Sequence, residues 1–305
     1  RDAQKNFTAF LTTQPRKNLQ IENEENCTGN HIWNAKNCYN VFHCYDAEEC
    51  AYGEHVWRGA KYCVDSNTAG RNAELLYETT NSGIDSYNVK FSRYCWGCKD
   101  TEYSNQCKNG SHLFGCVSLK PGSKYCVLNK QYTKEEYEKL VPKIIEHMKK
   151  SGEYGEFFPP EISLFGYNDS VSGDEFPMKK EEILKKGWKW ESSEKGTKNK
   201  GTVDMQKLPV STADIEEKIL KEILTCDNCA RNYRLIKQEF QFYKDHKIAI
   251  PGTCQHCRHL ARLKIHGGRN LSQTTCQKCQ KIIPTQYPEN EKNVYCRDCY
   301  LAEIY

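Results

Sequence analysis

The chain has 305 residues, 38% hydrophobic and 28% charged, with 18 cysteines and a formal net charge of +4. That length leaves room for two or three domains and a sizeable core. No apolar run is long enough to cross a bilayer, and no signal-peptide pattern opens the chain, which starts at Arg1 rather than Met, as expected of a trimmed or partial product.

Residues 1–26 form a polar lead-in without a strong pattern. From Cys27 to residue 130, short units recur in which Cys or Tyr sits beside an apolar or aromatic residue, as in Asn37-Cys38-Tyr39, Tyr62-Cys63-Val64, Tyr94-Cys95-Trp96 and Gly115-Cys116-Val117. Cys38, Cys44 and Cys50 fall six apart, later units follow at about eight to thirteen, and Asn, Ser, Asp and Gly lie between them. Helical periodicity is absent. Short strands at such intervals, each offering one small inward side chain, predict an irregular, Cys-rich β-solenoid over residues 27–130. An all-β sandwich is the rival. Cys95 and Cys98 form a CWGC knuckle, but a redox site wants that pair at a helix N-terminus, and residues 99–104 show no apolar helical face.

At Thr133 the pattern turns helical. Thr133 with Glu136 reads as a capping box, and Tyr137, Leu140, Val141, Ile144, Ile145 and Met148 fall at helical spacing. Pro142 predicts a kink or break near Leu140, and this helix is expected to cap the open end of the solenoid. Residues 131–190 are thus a helical cap and an extended segment, with a short helix opened by Pro177 and closed by Gly187, and with Trp188 and Trp190 in packing roles. The string ESSEKGTKNKG marks a linker over 191–210. A third helix from about Thr212 is expected to present Ile215, Ile219, Leu220, Ile223 and Leu224 on one face and to run into Cys226.

Residues 211–305 hold this helix plus two tetracysteine zinc fingers, an α+β module. Four Cys-x-x-Cys pairs occur: Cys226/Cys229, Cys254/Cys257, Cys276/Cys279 and Cys296/Cys299. Each pair sets two thiolates around one ion, and two S4 sites suit two Zn2+ ions better than harder cations. Sequential grouping of the pairs is expected, with a cross-braced arrangement as the alternative. Eighteen cysteines in a chain this large, eight of them in knuckles, fit a reducing compartment, so a cytoplasmic location is expected.

Charge is uneven. Residues 1–130 carry 15 Lys/Arg and 14 Asp/Glu, residues 131–225 carry 16 and 19, and the last 80 carry 13 and 7. The basic excess therefore travels with the knuckles, where an anionic partner would be met. A strand over 232–236, a helix over 238–246 and a second helix over 258–265 are expected, and Arg258 and Arg262 would share one face. Arg258, Arg262, Lys264, Arg269, Lys278 and Lys281 are the candidate phosphate contacts for RNA, DNA or a ribonucleoprotein such as the ribosome. The solenoid offers a surface for a protein partner, and no membrane is implied. A non-enzymatic zinc-binding protein is the leading function. A zinc-stabilised interaction scaffold is the alternative, and His246, His256, His259, His266 and Asn270 motivate a metal-dependent nuclease as the third reading. Hydrolase triads, phosphate-cradling glycine loops and dinucleotide fingerprints are not found.

The second site, with CQKC, Lys281 to Pro288 and then Val294-Tyr295-CRDC-Tyr300, resembles small treble-clef or ribbon zinc fingers over about 25 residues. The strings KYCVLNKQYTKEEY (from Lys124), GEFFPP (from Gly155) and the terminal VYCRDCY make the chain after Cys27 similar to cysteine-rich zinc-ribbon proteins of environmental bacteria. That resemblance implies zinc and brings no activity with it.

Overall fold

The computed structural model describes residues 2–193, 196–209, 211–267 and 269–305. After helix α1 (Asp2–Thr13) and strand β1 (Arg16–Lys17), the chain enters a stack of coils built on a three-residue unit. One residue bridges to neighbouring coils, the next turns the chain, and the third points inward. From Ile32 through Ala35, Cys38, Val41, Cys44, Ala47 and Cys50, every third side chain is at most 4% exposed. The intervening corners at Asn34, Asn37, Asn40, His43 and Asp46 have φ between 49° and 55°. Asn and Asp tolerate this left-handed conformation best among residues with a Cβ, which is why they crowd the corners.

Four units close one coil, as the bridges Lys36–Glu48, Tyr39–Ala51, Phe42–Glu54 and Tyr45–Trp57 show. Each side spans only about 10 Å, so the interior takes small and medium side chains such as Ala, Cys, Ser, Thr, Val, Leu and Ile. Where a second corner residue is inserted, Gly59 after Arg58 and Asn72 after Arg71, the register lengthens from Gly29↔Val41 to Val64↔Tyr77 and Glu74↔Tyr87. Strands β2 (Ile21–Glu25), β3 (Gly29–Lys36) and β4 (Val41–Tyr45) form one parallel sheet. A second holds β5 (Val64–Asn67), β6 (Glu74–Thr80), β7 (Tyr87–Arg93), β8 (Lys99–Glu102), β9 (Ser111–Phe114) and β10 (Lys124–Val127), and β11 (Lys130–Gln131) folds back antiparallel on its last strand. The region is β-solenoid-like, and the sandwich alternative falls to this parallel stacking. Cys95 and Cys98 are two successive inward residues, both fully buried, with sulfurs toward Ser104 O (3.5 Å) and Cys107 O (3.4 Å). No helix follows them, so the knuckle is core and not a redox motif.

Helix α2 (Lys134–Ser151) begins at the expected capping box, with Glu136 N donating to Thr133 Oγ1 at 3.2 Å and Thr133 N to Glu136 Oε2 at 2.9 Å. It stays helical through Pro142, so the expected break is absent. It lies against the last coil, packed on β10. Its residues Tyr137, Leu140 and Ile144 cluster with outward-pointing Phe114 and Val127, because those two give the wall of the last coils an apolar patch.

Beyond Pro160 come the short helices α3 (Val171–Glu175) and α4 (Lys180–Lys185), the latter burying Ile183. Trp188 stacks on Tyr167, with ring centroids 5.7 Å apart. The expected linker is not free: Asn199 N donates to Ala230 O (3.0 Å) and Thr202 N to Ile223 O (2.8 Å). Its residues 194, 195 and 210 lie outside the described residues. The third helix is replaced by two 3-10 turns, Thr212–Asp214 and Glu217–Lys221. Ile215, Ile219 and Leu224 are nevertheless buried, with Leu235, Phe240 and Tyr243. Three isoleucines and a threonine in this stretch favour a helix poorly, and turns satisfy the same apolar spacing.

The remaining elements are β12 (Leu224–Thr225), β13 (Asn232–Tyr233), α5 (Lys237–Asp245), α6 (Gln255–His266), β14 (Ser272–Thr275), β15 (Ile282–Thr285), β16 (Val294–Tyr295) and α7 (Arg297–Ile304). The sequence pattern joins both fingers in residues 211–305. The structure instead divides the chain into one unit of residues 1–159 with 269–305 and another of residues 160–268. The second finger thus belongs with the solenoid, through parallel pairing of β1 with β16 (Arg16↔Val294, Lys17↔Tyr295). Among the described residues, no helix is long and apolar enough to cross a membrane.

Candidate metal centres

Two groups of four sulfurs converge: Cys226, Cys229, Cys254 and Cys257, and Cys276, Cys279, Cys296 and Cys299, the ligand atoms of each group all within 4.8 Å of one another. The grouping is sequential, not cross-braced. Each site is assembled the same way. The first pair sits on a knuckle between antiparallel strands, β12 and β13 in one case and β14 and β15 in the other. Cys226 N donates to Arg231 O (3.0 Å) and Ala230 N to Cys226 O (2.9 Å), and the matching bonds are Cys276 N to Lys281 O (2.8 Å) and Gln280 N to Cys276 O (2.9 Å). Ala230 and Gln280 close the two knuckles at φ 58° and 63°. The second pair starts a helix, Cys254 as N-cap of α6 and Cys296 as N-cap of α7, with the partner cysteine in the first turn.

All eight thiols are unbridged. Sulfur–sulfur distances are 3.8 Å for Cys229–Cys254 and 3.8 Å for Cys279–Cys296. A tetrahedron with metal–sulfur bonds of about 2.3 Å has edges of about 3.8 Å, whereas a disulfide would need about 2.05 Å. The spacing therefore fits a four-coordinate ion and not a cross-link.

Electrostatics agree. Burial pushes the Cys226 thiol up, but backbone N–H groups of Cys254, Cys229 and Asn228 outweigh it and hold the thiol down at about 6. Cys276 is likewise raised by burial, then brought to about 6 by the N–H groups of Cys279, Cys296 and Lys278. Burial, opposed by Asn228 and reinforced by neighbouring sulfurs, pushes Cys257 up to about 12, and Cys296 foremost pushes Cys299 up to about 12. Each cluster thus prepares its first thiolate with aimed dipoles and crowds its last, a charge arrangement that a cation relieves.

The six candidate phosphate contacts have separate fates. The Arg258 guanidinium donates to Tyr243 Oη (2.7 Å) and Glu239 Oε1 (2.9 Å), which ties α6 to α5. Arg269 pairs with Glu54 and Lys278 with Glu303. Arg262, Lys264 and Lys281 are exposed. The nuclease histidines do not converge: His246 packs on the Phe242 ring (4.4 Å) and His259 faces Asp174 (3.7 Å). Sequence reasoning passed over exposed Arg234, Lys237 and Lys247, although the signal was there in the charge of each finger separately. Residues 226–268 carry eight Lys/Arg against three Asp/Glu, and residues 269–305 five against four.

No family model, curated protein or solved structure matches the chain.

Proposed function

We propose that the chain is a non-enzymatic zinc protein whose first finger engages nucleic acid, free or within a ribonucleoprotein. Zinc is the ion because four thiolates at tetrahedral spacing suit it above harder cations, and the knuckle, hairpin and helix sequence is that of a treble clef. The observation carrying the nucleic-acid reading is the concentration of basic residues in 226–268, with Arg234, Lys237, Lys247, Arg262 and Lys264 all exposed. The second finger is close to neutral and has its own task in the solenoid unit.

Binding of RNA and DNA oligonucleotides, measured from ~50 to ~300 mM salt, tests the reading. Affinity is expected to fall steeply with salt, and Arg262→Ala with Lys264→Ala should lower the slope of log K on log salt by about 1 to 2. A flat response, or no binding to either polymer, would remove the reading.

An interaction scaffold is the competing reading. Ile162 (59% exposed), Leu164 (88%) and Phe165 (61%) favour it by offering apolar side chains to solvent. Protein that co-purifies stoichiometrically without absorbance at 260 nm would decide for the scaffold.

A further inference from the structure

We propose that the ion of the second cysteine cluster acts as a latch on the first coil of the solenoid, so that order at that end of the stack depends on metal. The proposal rests on the zinc reading of that cluster.

Among the described residues, β2 pairs with one strand alone, β3. An open first strand leaves a row of backbone groups without partners, and such edges fray or recruit other chains unless something covers them. The second finger is what lies against this end. Arg16 N donates to Asn293 O (2.7 Å) and Asn18 N to Tyr295 O (3.0 Å), which extends the β1–β16 pairing. Asn18 Nδ2 donates to Pro284 O (2.9 Å). Asn30 is fully buried: its Nδ2 donates to Gln286 Oε1 (2.5 Å) and its Oδ1 accepts from Gln20 N (2.8 Å).

The finger groups in these contacts, from Pro284 to Tyr295, all lie in the loop between Cys279 and Cys296. Inside the finger, that loop is held by the pairing of β15 with β14 and by the finger's own small core. The finger's buried core is Cys276, Ile283, Val294 and Cys296, and two of those four are ligands of the cluster. A core this small does not fold without its ion, so metal binding free energy becomes folding free energy here. Release of the ion frees the loop, and with it go the Pro284 and Tyr295 acceptors of Asn18 and the Gln286 acceptor of Asn30. Asn30 Nδ2 then lacks its acceptor while Oδ1 keeps Gln20 N, and the half-satisfied amide destabilises the coil that contains it. Cys279 is the exposed ligand, and gives a chelator access.

The experiment compares full-length parent, Cys279→Ser and Cys229→Ser by metal content and by hydrogen exchange. In Cys279→Ser one ion is expected to be lost, and peptides over residues 16–36 should exchange at least about tenfold faster while those over 87–127 are unchanged. Cys229→Ser should also lose one ion yet leave residues 16–36 as protected as in the parent. Chelation of the parent followed by zinc addition should remove and then restore that protection, which guards against a variant that merely misfolds. Unchanged protection of residues 16–36 in a Cys279→Ser protein that has lost its ion overturns the latch alone. A parent that holds no metal overturns the latch and the zinc reading together.

Discussion

At Gly29 the backbone turns with φ +128°, and a Cβ there would fall 1.8 Å from Val41 O. That oxygen belongs to the next coil and cannot move without breaking the stack. Gly29→Ala should therefore cost about 3 kcal/mol or more of solenoid stability, by strain and steric overlap together. Gly122 is the contrast: φ is +85°, but nothing lies within 4 Å of the place a methyl would take. Gly122→Ala should cost only about 1 kcal/mol. Chemical denaturation of both variants checks the pair, and equal losses would contradict this account. Glu78 offers a second test at this scale. Burial first, then the carboxylates of Asp65 and Glu156, raise its pKa above the usual carboxylate range. A carboxyl raised in the folded state favours folding while protonated, and that contribution is lost as pH rises through the folded value. Glu78→Gln should accordingly melt above the parent at pH ~7, with the difference vanishing near pH ~3, where both side chains are neutral.

At the scale of elements, the coil period sets which side chains meet. Glu25, Lys36, Glu48, Lys61 and Glu74 bridge one another on successive coils, with Lys36–Glu25 at 2.9 Å and Lys61–Glu48 at 2.8 Å. Lys61 lowers the Glu48 carboxyl, and Glu48 raises the Lys61 ammonium. Glu48→Lys would set three cations in a row at the strand spacing of about 4.8 Å. The expected outcome is a lower melting temperature at ~20 mM salt that recovers largely by ~0.5 M, since exposed charges are screened. A salt-independent loss would mean that packing and not charge is at fault. The same period explains what could be read beforehand. Cys38, Cys44 and Cys50 fall six apart because they fill alternate inward positions, and cysteine is the conspicuous occupant. The true unit of three was hidden because Ser66, Ser82, Ser92 and Ser104 fill inward positions too. Hydrophobicity therefore does not mark the inward side. One-residue insertions at corners such as Asn72 then break any fixed spacing. The cysteine pairs were fully legible, since ligand spacing is local chemistry. The missing helix at Thr212 was not, because turns and helices can share an apolar pattern.

At the scale of the whole molecule, no local feature of the chain signals that the two fingers belong to different units. The contacts that decide it, such as Asn18 with Pro284, join residues 266 apart. The two units also differ in what supports them. The solenoid has a continuous inward cluster from Ile32 to Cys126, and no member of it belongs to either cysteine cluster. The unit of residues 160–268 has a small apolar cluster around Phe240 and Leu224 beside the separate group of Cys226, Cys254 and Cys257. Structural zinc is worth roughly 10–16 kcal/mol in small fingers, as much as a whole domain's net stability. Chelation should therefore unfold residues 160–268 and the second finger while sparing the central coils. Limited proteolysis of chelated protein, read by mass spectrometry, is expected to leave a resistant fragment that starts beyond Lys36 and ends before Pro160. Its N-terminal boundary follows from the loss of the first coil along with the second finger, and its C-terminal boundary from α2, which packs on the solenoid wall without help from metal. Digestion through residues 38–127 at the same rate as the finger peptides would mean that the coils depend on the ions after all.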